Sequence, residues 1–107
     1  MTVSKLQGLL GMCRRSGKLT VGFDAVIALC ETASPLVLLA ADASDRTVKE
    51  VRFRAAKHPV CRLPFDKDAL AHTIGSSKPV AVAAVCDDGF KRSIEPLCEV
   101  LSSTHQD

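Results

Sequence analysis

"LVLLAADASDRTVKEVRFRAAK", residues 36 to 57, decides what kind of fold this chain can adopt. Residues 36 to 41 are a continuous apolar run of strand length, the pattern of a strand covered on both faces. Ser44 follows as a good helix N-cap, with Asp45 placed in the first turn where an acid is favoured. Val48, Val51 and Ala55 then mark the buried side of a helix. A covered strand that passes straight into an amphipathic helix belongs to an α/β fold.

The same alternation extends in both directions. Upstream, Leu6, Leu9, Leu10 and Cys13 keep i, i+3, i+4, i+7 spacing and predict a helix ending near Gly17. Phe23, Val26, Ile27 and Cys30 repeat that spacing in a second helix. Downstream, "PVCRLPF" reads as a short strand, and "DKDALAHTIG" as a short helix stopped by Gly75. "SSKP" is a loop, and "VAVAAV", residues 80 to 85, is another covered strand. A last helix places Phe90, Ile94, Leu97, Cys98 and Leu101 in phase, and Pro96 should kink or restart it. With 107 residues, no repeat and no linker, a single domain over residues 1–107 is expected, its helices packed on both faces of a small sheet.

Composition narrows the functions open to such a domain. There is no Trp and no Tyr, and most of the four Phe are expected to be buried, so base stacking on surface aromatics has little to work with. Net charge is only +2, but it is segregated. The first 23 residues hold Lys5, Arg14, Arg15 and Lys18 and no acid. Arg46, Lys49, Arg52, Arg54 and Lys57 form a second basic set on one predicted helix. Such fields suit phosphate, although each cluster taken alone also reads as a solvated helix face.

Cys13, Cys30, Cys61, Cys86 and Cys98 are odd in number, widely spaced and without a CxxC pair, so they read as small apolar residues in a reducing compartment. No signal peptide or membrane-length apolar run is visible, and a cytoplasmic protein without membrane attachment is expected.

Catalytic patterns are missing. His58, His72 and His105 fall on separate predicted elements or in the tail, without ligand spacing, and a His at a helix end reads as structural. The adjacent Asp87 and Asp88 could act as an acid–base or metal pair, but their place at a strand-to-helix junction reads more simply as a helix start. No GxGxxG unit or GxxxxGK[ST] loop occurs. The expectation is a protein that is not an enzyme and needs neither metal nor cofactor.

The ordered set "LLGMCRRSGKLTVG", "LVLLAADAS", "LAHTIG" and "VAVAAVCDDGF" resembles the L-seven-Ae and L-thirty-e ribosomal protein family, most closely its small bacterial YlxQ-type members. The likeness runs from about Lys5 to Leu97. It implies a three-layer α/β/α sandwich around a mixed four-stranded sheet, with a short fourth strand at Lys18–Val21. It also implies binding of structured, kink-turn-like RNA without catalysis, the RNA being ribosomal or regulatory; a monomer when free of RNA is the default expectation.

In that family RNA is read by the start of the second helix, through a pattern like G-T-N-E-x-x-K, with help from the loop before the last main strand. Here the glycine matches Gly22, while Phe23, Asp24, Ala25 and Ala28 stand at the Thr, Asn, Glu and Lys positions. The loop matches Gly75, Ser76, Ser77, Lys78 and Pro79. Alanine at two reading positions removes polar base contacts, and Asp24 can accept a hydrogen bond but not donate one. What remains is backbone-directed: the helix N-terminus at Gly22 as a phosphate site, with Arg14, Arg15 and Lys18 expected to converge beside it. The alternative for the two arginines is that they complement the C-terminal dipole of the first helix. Phe23, in phase with Val26 and Ile27, reads either as core or as part of this site. Two rival functions keep the fold: a protein-interaction module without RNA reading, and a substrate-binding helper of an RNA-modifying enzyme.

Overall fold

Burial of both faces of one strand organises the molecule. In the computed structural model, which describes the backbone of residues 2–105 and the side chains of 3–98, Leu36, Val37, Leu38 and Leu39 are all fully buried. They form β2 (Leu36–Leu39), set between β4 (Val82–Val85), to which it runs antiparallel, and β3 (Val60–Arg62), to which it runs parallel. β1 (Leu19–Val21) completes the sheet on the far side of β4, giving the order β1-β4-β2-β3. The sheet is mixed and four-stranded, as the resemblance implied.

Alternation along β2 and β4 divides the core in two. Leu36, Leu38, Ala83 and Val85 face three helices, α1 (Thr2–Arg15), α4 (Lys67–Ile74) and α5 (Asp88–His105). Those helices bring Leu6, Leu10, Cys13, Leu70, Ile74 and Ile94 to that face. Val37, Leu39, Val82 and Ala84 face α2 (Phe23–Thr32) and α3 (Asp45–Arg54), which supply Val26 and Val51. The result is an α/β/α sandwich with three helices on one side of the sheet and two on the other. Each fully buried Leu or Val contributes about 1.5–3 kcal/mol relative to exposure, so both faces are needed to hold the sheet.

The helix ends follow the sequence closely. Ser44 caps α3 by accepting the Thr47 N–H, and Asp66 caps α4 by accepting the Ala69 N–H at 2.8 Å. Gly75 ends α4 in the left-handed region at φ 73°. Asp87 accepts the Phe90 N–H at 3.0 Å, so the helix-start reading of the Asp87–Asp88 pair holds. His58 is structural as well: Nε2 donates to the Cys30 carbonyl at 2.9 Å, satisfying a carbonyl in the last turn of α2.

Three expectations need correction. The strands are shorter than the apolar runs, because Ala40 and Ala81 continue the hydrogen bonding by one bond but already turn into loops. Pro96 does not restart the last helix: α5 runs unbroken through it. The carbonyl that Pro96 cannot serve is that of Arg92; both residues are exposed, so water can serve it instead, while Ile94 and Cys98 stay buried. The phenylalanines also divide: Phe65 is buried, Phe23 and Phe90 are half-buried, and Phe53 is 80% exposed.

Candidate functional site

Three strands end, and one begins, at the same edge of the sheet. Leu39 pairs with both Arg62 and Val82, which brings the last residues of β2 and β3 beside the first residue of β4. The Gly22 N–H donates to the Val82 carbonyl at 2.9 Å, placing the end of β1 there too. The helices that follow β1, β2 and β3 therefore all present their N-termini at this edge, the side where ligands sit in sheets of this kind.

Short hydrogen bonds lock the connecting loops together. The Ala41 N–H donates to the Phe65 carbonyl at 2.9 Å, and the Lys67 N–H to Asp42 Oδ1 at 2.8 Å. Arg62 Nη2 donates to the Ala41 carbonyl at 3.1 Å. Arg62, Asp42 and Lys67 were not legible as members of this edge, because their meeting depends on the parallel β2–β3 pair.

The three N-termini differ in what occupies them. Ser44 and Asp66 fill the first turns of α3 and α4, whereas Gly22 gives α2 no side-chain cap. Gly22 sits at φ 101°, ψ 146°, a conformation that side chains oppose at about 1–3 kcal/mol, although nothing crowds the position. Gly22→Ala should accordingly lower stability by about 1–3 kcal/mol in a denaturant titration, with the loss arising from the backbone angle alone. An unchanged midpoint would mean that the chain enters α2 by another path.

Asp24, Ala25 and Ala28 project from the first turns of α2 and are exposed. Phe23 is both core and surface: it packs against Val26 and its neighbours, and its outer side lines a groove with Arg46, Thr47, Glu50 and Arg54 of α3. In the loop before β4, the Ser76 hydroxyl donates to the Lys78 carbonyl at 2.9 Å and accepts the Lys78 N–H at 3.2 Å. Ser76 thus shapes the loop and leaves Ser77 and Lys78 exposed. Through its bond to the Val82 carbonyl, Gly22 lies at the edge where β4 begins, the strand into which this loop leads.

Arg14, Arg15 and Lys18 do not join them. Leu19 pairs with Val85 and Val21 with Ala83, so β1 carries the chain from one end of β4 to the other. Four residue steps at about 3.3 Å each separate Lys18 from Gly22 by roughly 13 Å. The expected convergence fails because the residues between the two sites are extended, not turned. At the far end Lys18 Nζ lies 4.0 Å from Asp87 Oδ1, an exposed pair that contributes little to stability. Arg14 and Arg15 stand in the last turn of α1, where they complement its dipole.

Chemistry beyond binding finds little support in the side chains. Burial pushes the Cys13 thiol up to about 11, with Asp87 adding to the rise and Lys18 opposing it. Burial also raises Cys30, helped by Cys86 and Glu31. Neither is an activated nucleophile at neutral pH. Among the described residues no three His, Cys, Asp or Glu lie together as a metal site, and no helix is long and apolar enough to cross a membrane.

A protein with unknown function from Bacillus halodurans C superposes with a TM-score of 0.80 at 28% identity, over 89% of this chain and 97% of that one. The Giardia lamblia 15.5kD RNA binding protein superposes with a TM-score of 0.76 at 17% identity, over 96% of this chain and 90% of that one. None of the curated proteins matches in sequence. The sequence model of one family matches residues 4–95, from α1 into α5: the chain belongs to the ribosomal protein L7Ae/L30e/S12e/Gadd45 family.

Proposed function

We propose that this chain is a non-catalytic, ribosome-associated RNA-binding protein that grips structured, kink-turn-like RNA at the edge holding Gly22. The observation that carries this reading is the uncapped N-terminus of α2 at the edge where β4 begins, with Ser77 and Lys78 exposed in the loop that leads into that strand. Backbone N–H groups and the positive end of the helix dipole form a phosphate seat there, and glycine lets the phosphate approach closely. Family membership and the likeness in fold to an RNA-binding protein support the choice of RNA as the ligand.

Gly22 and the α2 N–H groups hold phosphate, Asp24 accepts hydrogen bonds from guanine, and Phe23 shapes the floor. Ser76 sets the loop from which Ser77 and Lys78 reach the backbone. Arg14, Arg15 and Lys18 form a second, separate backbone contact at the other end of β1. The Arg14→Ala, Arg15→Ala, Lys18→Ala triple variant should therefore weaken RNA binding irrespective of sequence and leave folding intact, with only the small stability loss of the α1 dipole contacts. Its log K against log salt should flatten by roughly 0.7–0.9 per lost contact. Equal affinity in a normally folded variant would remove this corner from the interface.

One observation favours a protein-interaction module instead: Asp24, Asp42, Asp45, Asp66 and Asp68 crowd the same edge against Arg46, Arg62, Lys67 and Lys78. Sedimentation of the tagged protein with ribosomal subunits, followed by sequencing of crosslinked RNA, decides between the two. Crosslinks at Ser77, Lys78 or the α2 start support RNA; co-sedimentation without crosslinked RNA supports the protein-binding reading.

A further inference from the structure

Phe53 stands on the solvent side of α3, in its last turn, and is 80% exposed. The helix turns Val51 and Ala55 into the core, and Phe53 is out of phase with them, so no packing demand explains the ring. Arg46, Lys49 and Phe53 recur at i, i+3, i+7 and share one face, and Lys57 follows in the turn beyond the helix. The acids of α3 are Asp45 and Glu50, and Glu50 is already engaged by Arg54 at 3.7 Å. Among the described residues Arg46, Lys49, Arg52 and Lys57 form no ion pair. The surface around the ring is therefore net positive.

A single exposed apolar side chain is ordinary. A phenyl ring flanked along its helix by unpaired cations has a particular chemistry: its face stacks on a nucleobase while the cations hold the adjoining phosphates. The face is also connected to the proposed site. The groove that Phe23 lines reaches Arg46, and Phe53 lies about 11 Å farther along the helix axis.

We propose that the solvent face of α3 binds an unpaired stretch of RNA, with a base stacked on Phe53 and its phosphates on Arg46, Lys49 and Lys57. This inference rests on the reading of the Gly22 edge as the seat of structured RNA, the unpaired stretch being that element's flank. The cations match the charge of an RNA backbone, and base stacking accounts for the ring, which charge alone does not.

The absence of Trp and Tyr makes the test direct, because Phe53→Trp introduces the molecule's only indole. Dodecauridine should quench that fluorescence saturably, as a stacked base does. A kink-turn stem carrying a hexauridine tail should bind Phe53→Ala roughly fivefold to a hundredfold more weakly than the native chain. The tailless stem should bind both equally. Phe53→Leu should behave as the alanine variant does, and Phe53→Tyr as the native chain does, which separates stacking from simple apolar contact.

Absence of quenching would overturn the proposal, and so would equal binding of the tailed stem by native protein and Phe53→Ala; the Gly22 site would survive either result if the tailless stem still binds. Capture of the ring by a protein partner, with RNA affinity indifferent to Phe53, would also overturn it. Quenching by dodecauridine without any stem binding would uphold the α3 face and reject the Gly22 site.

Discussion

Leu38→Ala should lower the melting temperature by roughly 8–40 °C, a loss expected only at a fully buried core position. Leu38 is fully buried in β2 and belongs to the cluster shared by α1, α4 and α5. Removing a leucine side chain from a close-packed interior costs about 2–5 kcal/mol, through lost burial and the cavity left behind. For a domain near this size each kcal/mol moves the midpoint by about 4–8 °C. Met12→Ala, at a position 49% exposed, is the matched control and should move it little. A shift for Leu38→Ala no larger than that of the control would mean that this face of the sheet is not covered as described.

The second large effect is a gain. Restoring the family's reading residues by Asp24→Asn, Ala25→Glu and Ala28→Lys should tighten binding to a standard kink-turn at least fivefold. All three positions are exposed on α2, so the change adds groups to the surface without touching the core. Each good polar contact to a base edge is worth ~1–3 kcal/mol, and even one accounts for the lower bound. Replacing the tandem G·A pairs of the RNA by Watson–Crick pairs should erase most of the gain, which a general charge effect would not do. Nanomolar binding by the native chain would show that Ala25 and Ala28 are no handicap. A folded triple variant without any gain would place the RNA surface away from Gly22.

Periodicity made most of the fold legible, because the core positions of α1, α2 and α3 repeat at helical spacing and β2 is apolar throughout. The exception was β1, visible only through the family resemblance. Three residues with one buried side chain are too few to show a period, and the strand exists because β4 offers it an edge. The site was half legible. Gly22 and the loop before β4 could be matched residue by residue, but nothing local says that Lys18 and Gly22 lie at opposite ends of an extended segment. The exposure of Phe53, by contrast, was available from the phase of Val48, Val51 and Ala55.

The strand order also sets a timetable for synthesis. β4 lies between β1 and β2, so the strand made last joins two that were made earlier and touch no other common strand. Until residues 82–85 leave the ribosome, β1 has no partner in the sheet, and α1 and α4 have only part of the surface they cover. At about 5–20 residues per second, the early segments wait seconds for that strand with apolar surface uncovered. A nascent chain stopped short of β4 should therefore hold local helices and a β2–β3 pair but no closed core, and the molecule should mature late, nearly all at once.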